Sequence, residues 1–154
     1  MPNFLVRPAR PEDGLALARL RAALWPESSA EEHFKELEPI LAGRPSGILP
    51  LIYLVAESAA GGILGFIEAA LRSYADGCDP SQPVGYVEGW YVTEEHRRRG
   101  IGKALLHAAE SWARTQGCKE MASDSELDNA TSQRAHQATG FQVVGRALLY
   151  RKSL

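Results

Sequence analysis

The chain has 154 residues, 45% of them hydrophobic and 23% charged, which fits one domain over residues 1–154 and excludes a disordered or fibrous chain. A formal net charge of −2 gives no general basis for a nucleic-acid partner. No apolar run approaches the ~18 residues of a membrane span, and no signal-peptide core follows Met1, so the expectation is a cytoplasmic protein without a membrane partner.

Phe4 to Arg7 reads as a short opening strand, punctuated by Pro8 and Pro11. Asp13 is placed to cap a helix running to about Leu24, with Leu15, Ala18 and Ala22 on one face and Leu17, Leu20 and Leu24 widening it. Ser29-Ala30-Glu31-Glu32 is a capping box and predicts a second helix from Ser29 to about Leu41. Leu51 to Glu57 is an apolar strand, and Gly61-Gly62 turns it into Ile63 to Leu71. Ser73 to Pro83 has no regular period, and a loop of that length is more often functional than idle. Tyr86 to Val92 reads as a strand. Gly100 to Gln116 reads as a helix closed by Gly117, Met121 to Ser123 as a brief strand, and Asn129 to Thr139 as a helix closed by Gly140. Phe141 to Lys152 is rich in β-formers and is expected to be a final strand.

The order is strand, two helices, three-strand meander, helix, strand, helix, strand. Tight turns make the meander antiparallel, and the strand–helix–strand unit after Val92 requires a parallel pair. The fold class is therefore α/β, a mixed and mostly antiparallel sheet flanked by helices. The twelve residues from Phe141 leave little room for a terminal hairpin. A sheet that ends one strand early has an open edge for a second copy to cover, which predicts a homodimer. Cys78 and Cys118 form no disulfide framework, and neither they nor the dispersed His33, His96 and His107 have metal-ligand spacing, so no metal is expected.

Between the strand ending at Val92 and the following helix lies His96-Arg97-Arg98-Arg99-Gly100-Ile101-Gly102-Lys103. A strand, a tight turn, then the free N–H groups of a helix start form an anion site. Gly100 and Gly102 let phosphate approach the backbone, and Arg97, Arg98 and Arg99 add fork-shaped donors. The Gly-x-x-x-x-Gly-Lys-Ser/Thr loop and the three-glycine dinucleotide fingerprint are both absent, so the turn does not point to ATP or NAD.

Three blocks together resemble the GCN5-related N-acetyltransferase superfamily: Glu88-Gly89-Trp90-Tyr91-Val92, then Arg97-Arg98-Arg99-Gly100-Ile101-Gly102, then Asn129 with Gly140-Phe141. The resemblance implies acetyl-CoA in a splay between the parallel strands ending at Val92 and Ser123. It implies that Trp90, Tyr91 and Val92 pair with the pantetheine arm. Arg97 to Lys103, Ile101 included, would hold the diphosphate, and Asn129 would meet the coenzyme near its thiol end. A narrower set is similar to the dimeric bacterial aminoglycoside 6′-N-acetyltransferases. It comprises Leu24-Trp25-Pro26, Asp76-Gly77-Cys78-Asp79, Val87-Glu88-Gly89, Glu120-Met121-Ala122-Ser123-Asp124, Ser132-Gln133, His136-Gln137-Ala138 and Tyr150-Arg151-Lys152. This likeness implies that Trp25, Tyr74, Glu88 and Asp124 contact the aminosugar or its amine. Where that subgroup tends to have an acidic residue in the last strand, this chain has Gly145.

Acetylating an amine requires a neutral nitrogen, a stabilised oxyanion and a proton for the departing thiolate. Asp124 at the end of a parallel strand and Glu88 on its neighbour are the expected binders of the acceptor amine, one of them serving as base directly or through water. A backbone N–H near Tyr91 or Val92 is the oxyanion donor. His136 takes the place where the superfamily usually carries a proton-donating tyrosine, and histidine donates near neutral pH. Glu27, Glu31, Glu32, Asp76, Asp79, Glu88, Asp124, Glu126 and Asp128 suit a polyamine or aminosugar partner. Two other readings stay open: an acetyltransferase for another small amine, and a non-catalytic acyl-CoA-binding module.

Overall fold

The computed structural model describes residues 2–154. Five strands form one sheet in the order β1-β2-β3-β4-β5: β1 is Phe4–Pro8, β2 Leu51–Ser58, β3 Ile63–Arg72, β4 Val84–Val92 and β5 Met121–Ser123. The first four pair antiparallel and β4–β5 is parallel. The helices are α1 (Gly14–Leu24), α2 (Ala30–Leu41), α3 (Ile101–Thr115) and α4 (Ala130–Ala138).

Period-2 alternation along the strands divides the core between two faces. Tyr53, Val55 and Phe66 pack on Leu17, Leu20 and Leu37 of α1 and α2. Leu54, Ala56, Ile67, Ala69 and Val87 point the other way, onto Ile101, Leu105, Leu106 and Ala109 of α3. Ser29 caps α2 as the sequence requires: the Glu32 N–H donates to its hydroxyl at 3.1 Å, and its own N–H donates to the Glu32 carboxylate at 3.2 Å.

Three expectations are corrected. The inner face of α1 is Leu17, Ala18, Leu20 and Arg21, whereas Leu15 is 61% exposed, because the helix meets the sheet about one residue later than the apolar pattern suggests. Asp13 precedes α1, yet its side chain turns back to the Arg7 guanidinium at 2.7 Å and the Arg10 N–H instead of capping the helix. Residues 141–154 form no strand. An extended segment becomes a strand only where its N–H and C=O groups meet a neighbour's, and the outer edge of β5 does not pair with it. Val143, Val144, Leu148, Leu149 and Tyr150 are left exposed.

Two features of β4 shape the site. The register passes from Glu68↔Gly89 to Ala69↔Val87, which makes Glu88 the extra residue of a β-bulge, a device that re-aims a side chain. On its other edge, β4 pairs with β5 only from Gly85↔Met121 to Val87↔Ser123. Beyond that row the strands part.

Candidate active site

The splay starts after Val87↔Ser123, so Glu88 on β4 and Asp124 after β5 are the first residues past the last paired row. From there Glu88 to Val92 runs with β3 on one side and no strand on the other, leaving backbone groups to pair with an extended ligand. β4 then leads through Thr93 and one turn of 3₁₀ helix, Glu94–His96, into the arginine-rich turn.

That turn has the backbone form of an anion cradle. Gly100, ahead of α3, is left-handed (φ 81°), and a β-carbon there would meet no atom within 4 Å, so the space beside it is open. Arg98 is also left-handed (φ 61°), the only non-glycine among the described residues to be so, at a cost of about 1–2 kcal/mol. Left-handed residues interspersed in a turn aim successive N–H groups into one concavity. Ile101, Gly102 and Lys103 form the open first turn of α3, whose N–H groups have no intrahelical partner. Ile101 itself is 2% exposed and anchors the turn in the core, so only its backbone is available to a ligand. Arg97 folds back: its Nε donates to the Val92 carbonyl at 2.8 Å and its guanidinium lies over the Tyr91 ring. Arg98, Arg99 and Lys103 are exposed. These features fit a diphosphate, and the open edge of β4 fits a chain of amides. Trp90 joins the two, donating from Nε1 to the Gly102 carbonyl at 3.1 Å.

The α4 side holds Asn129 and His136. The Asn129 side-chain carbonyl accepts from the Ser132 N–H at 3.0 Å and caps α4, leaving its NH₂ group for a ligand. His136 is braced at both ring nitrogens, Nδ1 against the Ser132 carbonyl at 2.7 Å and Nε2 against the Ser123 hydroxyl at 2.8 Å. A carbonyl only accepts, so Nδ1 carries a proton. The ring packs edge-on to both Trp90 and Phe141.

On the other face, the two carboxylates enter one cluster with residues that the motifs did not flag. Arg72, at the end of β3, donates from Nε and Nη2 to the two oxygens of Glu88 at 2.8 and 2.7 Å. Its guanidinium lies 3.5 Å from the centre of the Tyr86 ring. The Tyr86 hydroxyl donates to Asp124 Oδ2 at 2.7 Å. Burial, then the bond to Asp124, raises the Tyr86 phenol far above its usual value, so it remains a donor. The bonds to Glu88 likewise hold the Arg72 guanidinium charged. Tyr86 and Glu88 are two apart on one strand, and that spacing was the available signal for Tyr86. The reach of Arg72 across from β3 depends on register and left no trace in the sequence.

Trp25 and Tyr74 make no hydrogen bond to this cluster among the described residues. Trp25 covers Gly89, where a β-carbon would fall 2.5 Å from the indole, and it packs against Phe66 under the Arg21 guanidinium. Tyr74 is 57% exposed and donates to Asp76 at 3.0 Å. Much of the anticipated acidity serves locally: Glu32 caps α2, Glu31 pairs with Lys35, and Asp79 accepts from Ser81 and Gln82. No group of three or more potential metal ligands occurs among the described residues.

Residues 15–141 match the model of the acetyltransferase (GNAT) family. The chain belongs to that family. It is 42% identical over 150 residues to an aminoglycoside N(6′)-acetyltransferase type 1 of Klebsiella aerogenes, covering 97% of each chain. To the Stenotrophomonas maltophilia enzyme of the same name it is 39% identical, over 97% of this chain and 93% of that one. The solved structure of AAC(6′)-Iy, in complex with the bisubstrate analogue CoA-S-monomethyl-acetylneamine, superposes with a TM-score of 0.85 at 35% identity, covering 98% and 99% of the two chains. The expected α/β architecture, a mixed sheet with one parallel pair, is thus the GNAT fold. The chain is an acyltransferase of the aminoglycoside N(6′)-acetyltransferase group, with acetyl-CoA as the acetyl donor.

Proposed function

We infer that this protein transfers acetyl from acetyl-CoA to the 6′-amine of aminoglycosides by direct attack of the amine on the thioester. The observation that carries this reading is the pair of carboxylates at the mouth of the β4–β5 splay, in a chain 42% identical to an aminoglycoside N(6′)-acetyltransferase. When bound, acetyl-CoA supplies the activated acetyl group. The N–H groups from Arg98 to Lys103 take its diphosphate, Trp90 to Val92 align its amides, and the NH₂ of Asn129 reaches its thiol end.

The two carboxylates divide the work. Both Glu88 oxygens are held by Arg72, whereas Asp124 has one oxygen on Tyr86 and Oδ1 without a protein partner among the described residues. Asp124 Oδ1 therefore binds the acceptor ammonium and receives its proton, and Glu88, its charge paired with Arg72, lines the same mouth. An N–H at Tyr91 or Val92 faces the carbonyl oxygen as charge develops there. His136, engaged at both ring nitrogens, braces α4 against β5; with Nδ1–H committed to the Ser132 carbonyl, it serves a thiolate as a proton source only as the imidazolium, through an Nε2–H released from the Ser123 hydroxyl. Trp25 and Tyr74 border the groove as apolar walls for the sugar.

The protein works as a homodimer, a reading supported by the unpaired outer edge of β5 and the exposed apolar residues after Phe141, and no described helix is long and apolar enough to cross a membrane, which is compatible with a cytoplasmic place. Light scattering is expected to give twice the chain mass, and a chain ending at Phe141 the monomer mass. A steady-state screen with kanamycin, spermidine and dipeptides tests the activity. Turnover of kanamycin is expected, and turnover of spermidine with none on any 6′-amino antibiotic would overturn the assignment of acceptor.

A further inference from the structure

Asp124 is exposed and follows a strand of only three residues, so nothing in its own segment fixes its carboxylate. What fixes it comes from the neighbouring strand. Tyr86 is 8% exposed, with its ring seated among Val84 and Ala75, and only its hydroxyl reaches out, to Asp124 Oδ2 at 2.7 Å. The Arg72 guanidinium lies on the outer face of the same ring at 3.5 Å and forks Glu88 with both arms. The four side chains form one continuous chain of contacts, Asp124–Tyr86–Arg72–Glu88, drawn from the β5 terminus, β4, β3 and the β4 bulge.

We propose that Tyr86 is a positioning residue for the acetyl acceptor, holding Asp124 by one oxygen so that the other faces the incoming amine, with Arg72 locking Tyr86 and Glu88 in the same arrangement. The inference rests on the assignment of Asp124 as the group that meets the amine. It adds that the aim of that carboxylate is set from β4. A hydrogen bond to one oxygen stops rotation of the carboxylate, and a ring pinned between core and guanidinium adds little freedom of its own. Misplacing a reacting group by about 1 Å costs on the order of a hundredfold in rate, which is why such a brace matters.

Tyr86→Phe removes the hydroxyl and keeps the ring, so the packing with Val84 and Arg72 survives. Expected are a fall in kcat with kanamycin of about tenfold, an unchanged KM for acetyl-CoA and a melting temperature lowered by no more than a few degrees. A second pair of proteins separates aim from packing: in an Asp124→Ala background, Tyr86→Phe is expected to change kcat no further, because there is no carboxylate left to hold. The four proteins are also compared by calorimetric titration of kanamycin into the enzyme–CoA complex, and the same loss of coupling is expected there. An equal effect of Tyr86→Phe in both backgrounds, or none in either, overturns the proposal. If the wild-type protein acetylates spermidine and not kanamycin, the aminoglycoside reading fails alone. The same cycle run with spermidine then decides the role of Tyr86.

Discussion

The two halves of the site are made of different material. The half proposed for the coenzyme is largely one continuous run, residues 97–103, and what it offers is backbone: an open helix start and two left-handed residues, Arg98 and Gly100. The half proposed for the acceptor is made of side chains from separate segments, Arg72 of β3, Tyr86 and Glu88 of β4, and Asp124 beyond β5, each held by another. A backbone site tolerates loss of any one surface side chain, because every residue brings an N–H. A side-chain site fails when one atom group goes.

Substitutions chosen to break that contrast have graded expectations. Asp124→Asn keeps the shape and removes the proton acceptor, so kcat is expected to fall by about a hundredfold or more while calorimetry shows acetyl-CoA binding intact. Weak binding together with weak turnover would mean that the halves are not separable. Gly100→Ala is expected to weaken CoA binding about tenfold, since a β-carbon disfavours the left-handed backbone that aims the N–H groups, even though it meets no neighbour. Arg99→Ala should weaken CoA by only about twofold to threefold, with the deficit shrinking in high salt, because an exposed charge contributes little. A larger loss for Arg99→Ala than for Gly100→Ala would assign the cradle to side chains after all.

The smallest effect concerns a carboxylate outside the cluster. Glu68 lies on β3 opposite Gly89 and accepts a hydrogen bond from Tyr53. Burial raises its carboxyl above the ordinary range, with the Tyr53 bond opposing. A raised value in the folded protein means that the proton is held more firmly there than in the unfolded chain. The stabilisation is complete below the ordinary carboxylate range and is lost as pH rises through the folded value. Glu68→Gln cannot ionise, so relative to the wild type its melting temperature should gain between pH 4 and pH 8. A constant difference between the two proteins across that interval would show that Glu68 titrates normally.

What the sequence disclosed follows the same division. Periodicity found the helices and strands from β1 to α4, because each of those signals lies within a few consecutive residues. The capping box at Ser29 and the glycine turns behaved likewise. Helical spacing shows that α1 carries an apolar stripe, not where the sheet meets it. The segment after Phe141 departs from its β-rich composition because β-forming residues make a strand only with a partner. At the site, Glu88 and Asp124 were visible as carboxylates near strand ends. Arg72 was invisible, since its place beside Glu88 depends on a register shift between Glu68 and Ala69.

The linear order of residues thus determined the fold class and supplied the candidates for the coenzyme turn and for the group that meets an amine, since all three are encoded by neighbours along the chain. Tertiary structure alone decided which carboxylate keeps an oxygen free and which is held by a guanidinium. Those outcomes depend on a bulge, on the row where β4 and β5 part, and on side chains meeting across strands that lie far apart in sequence.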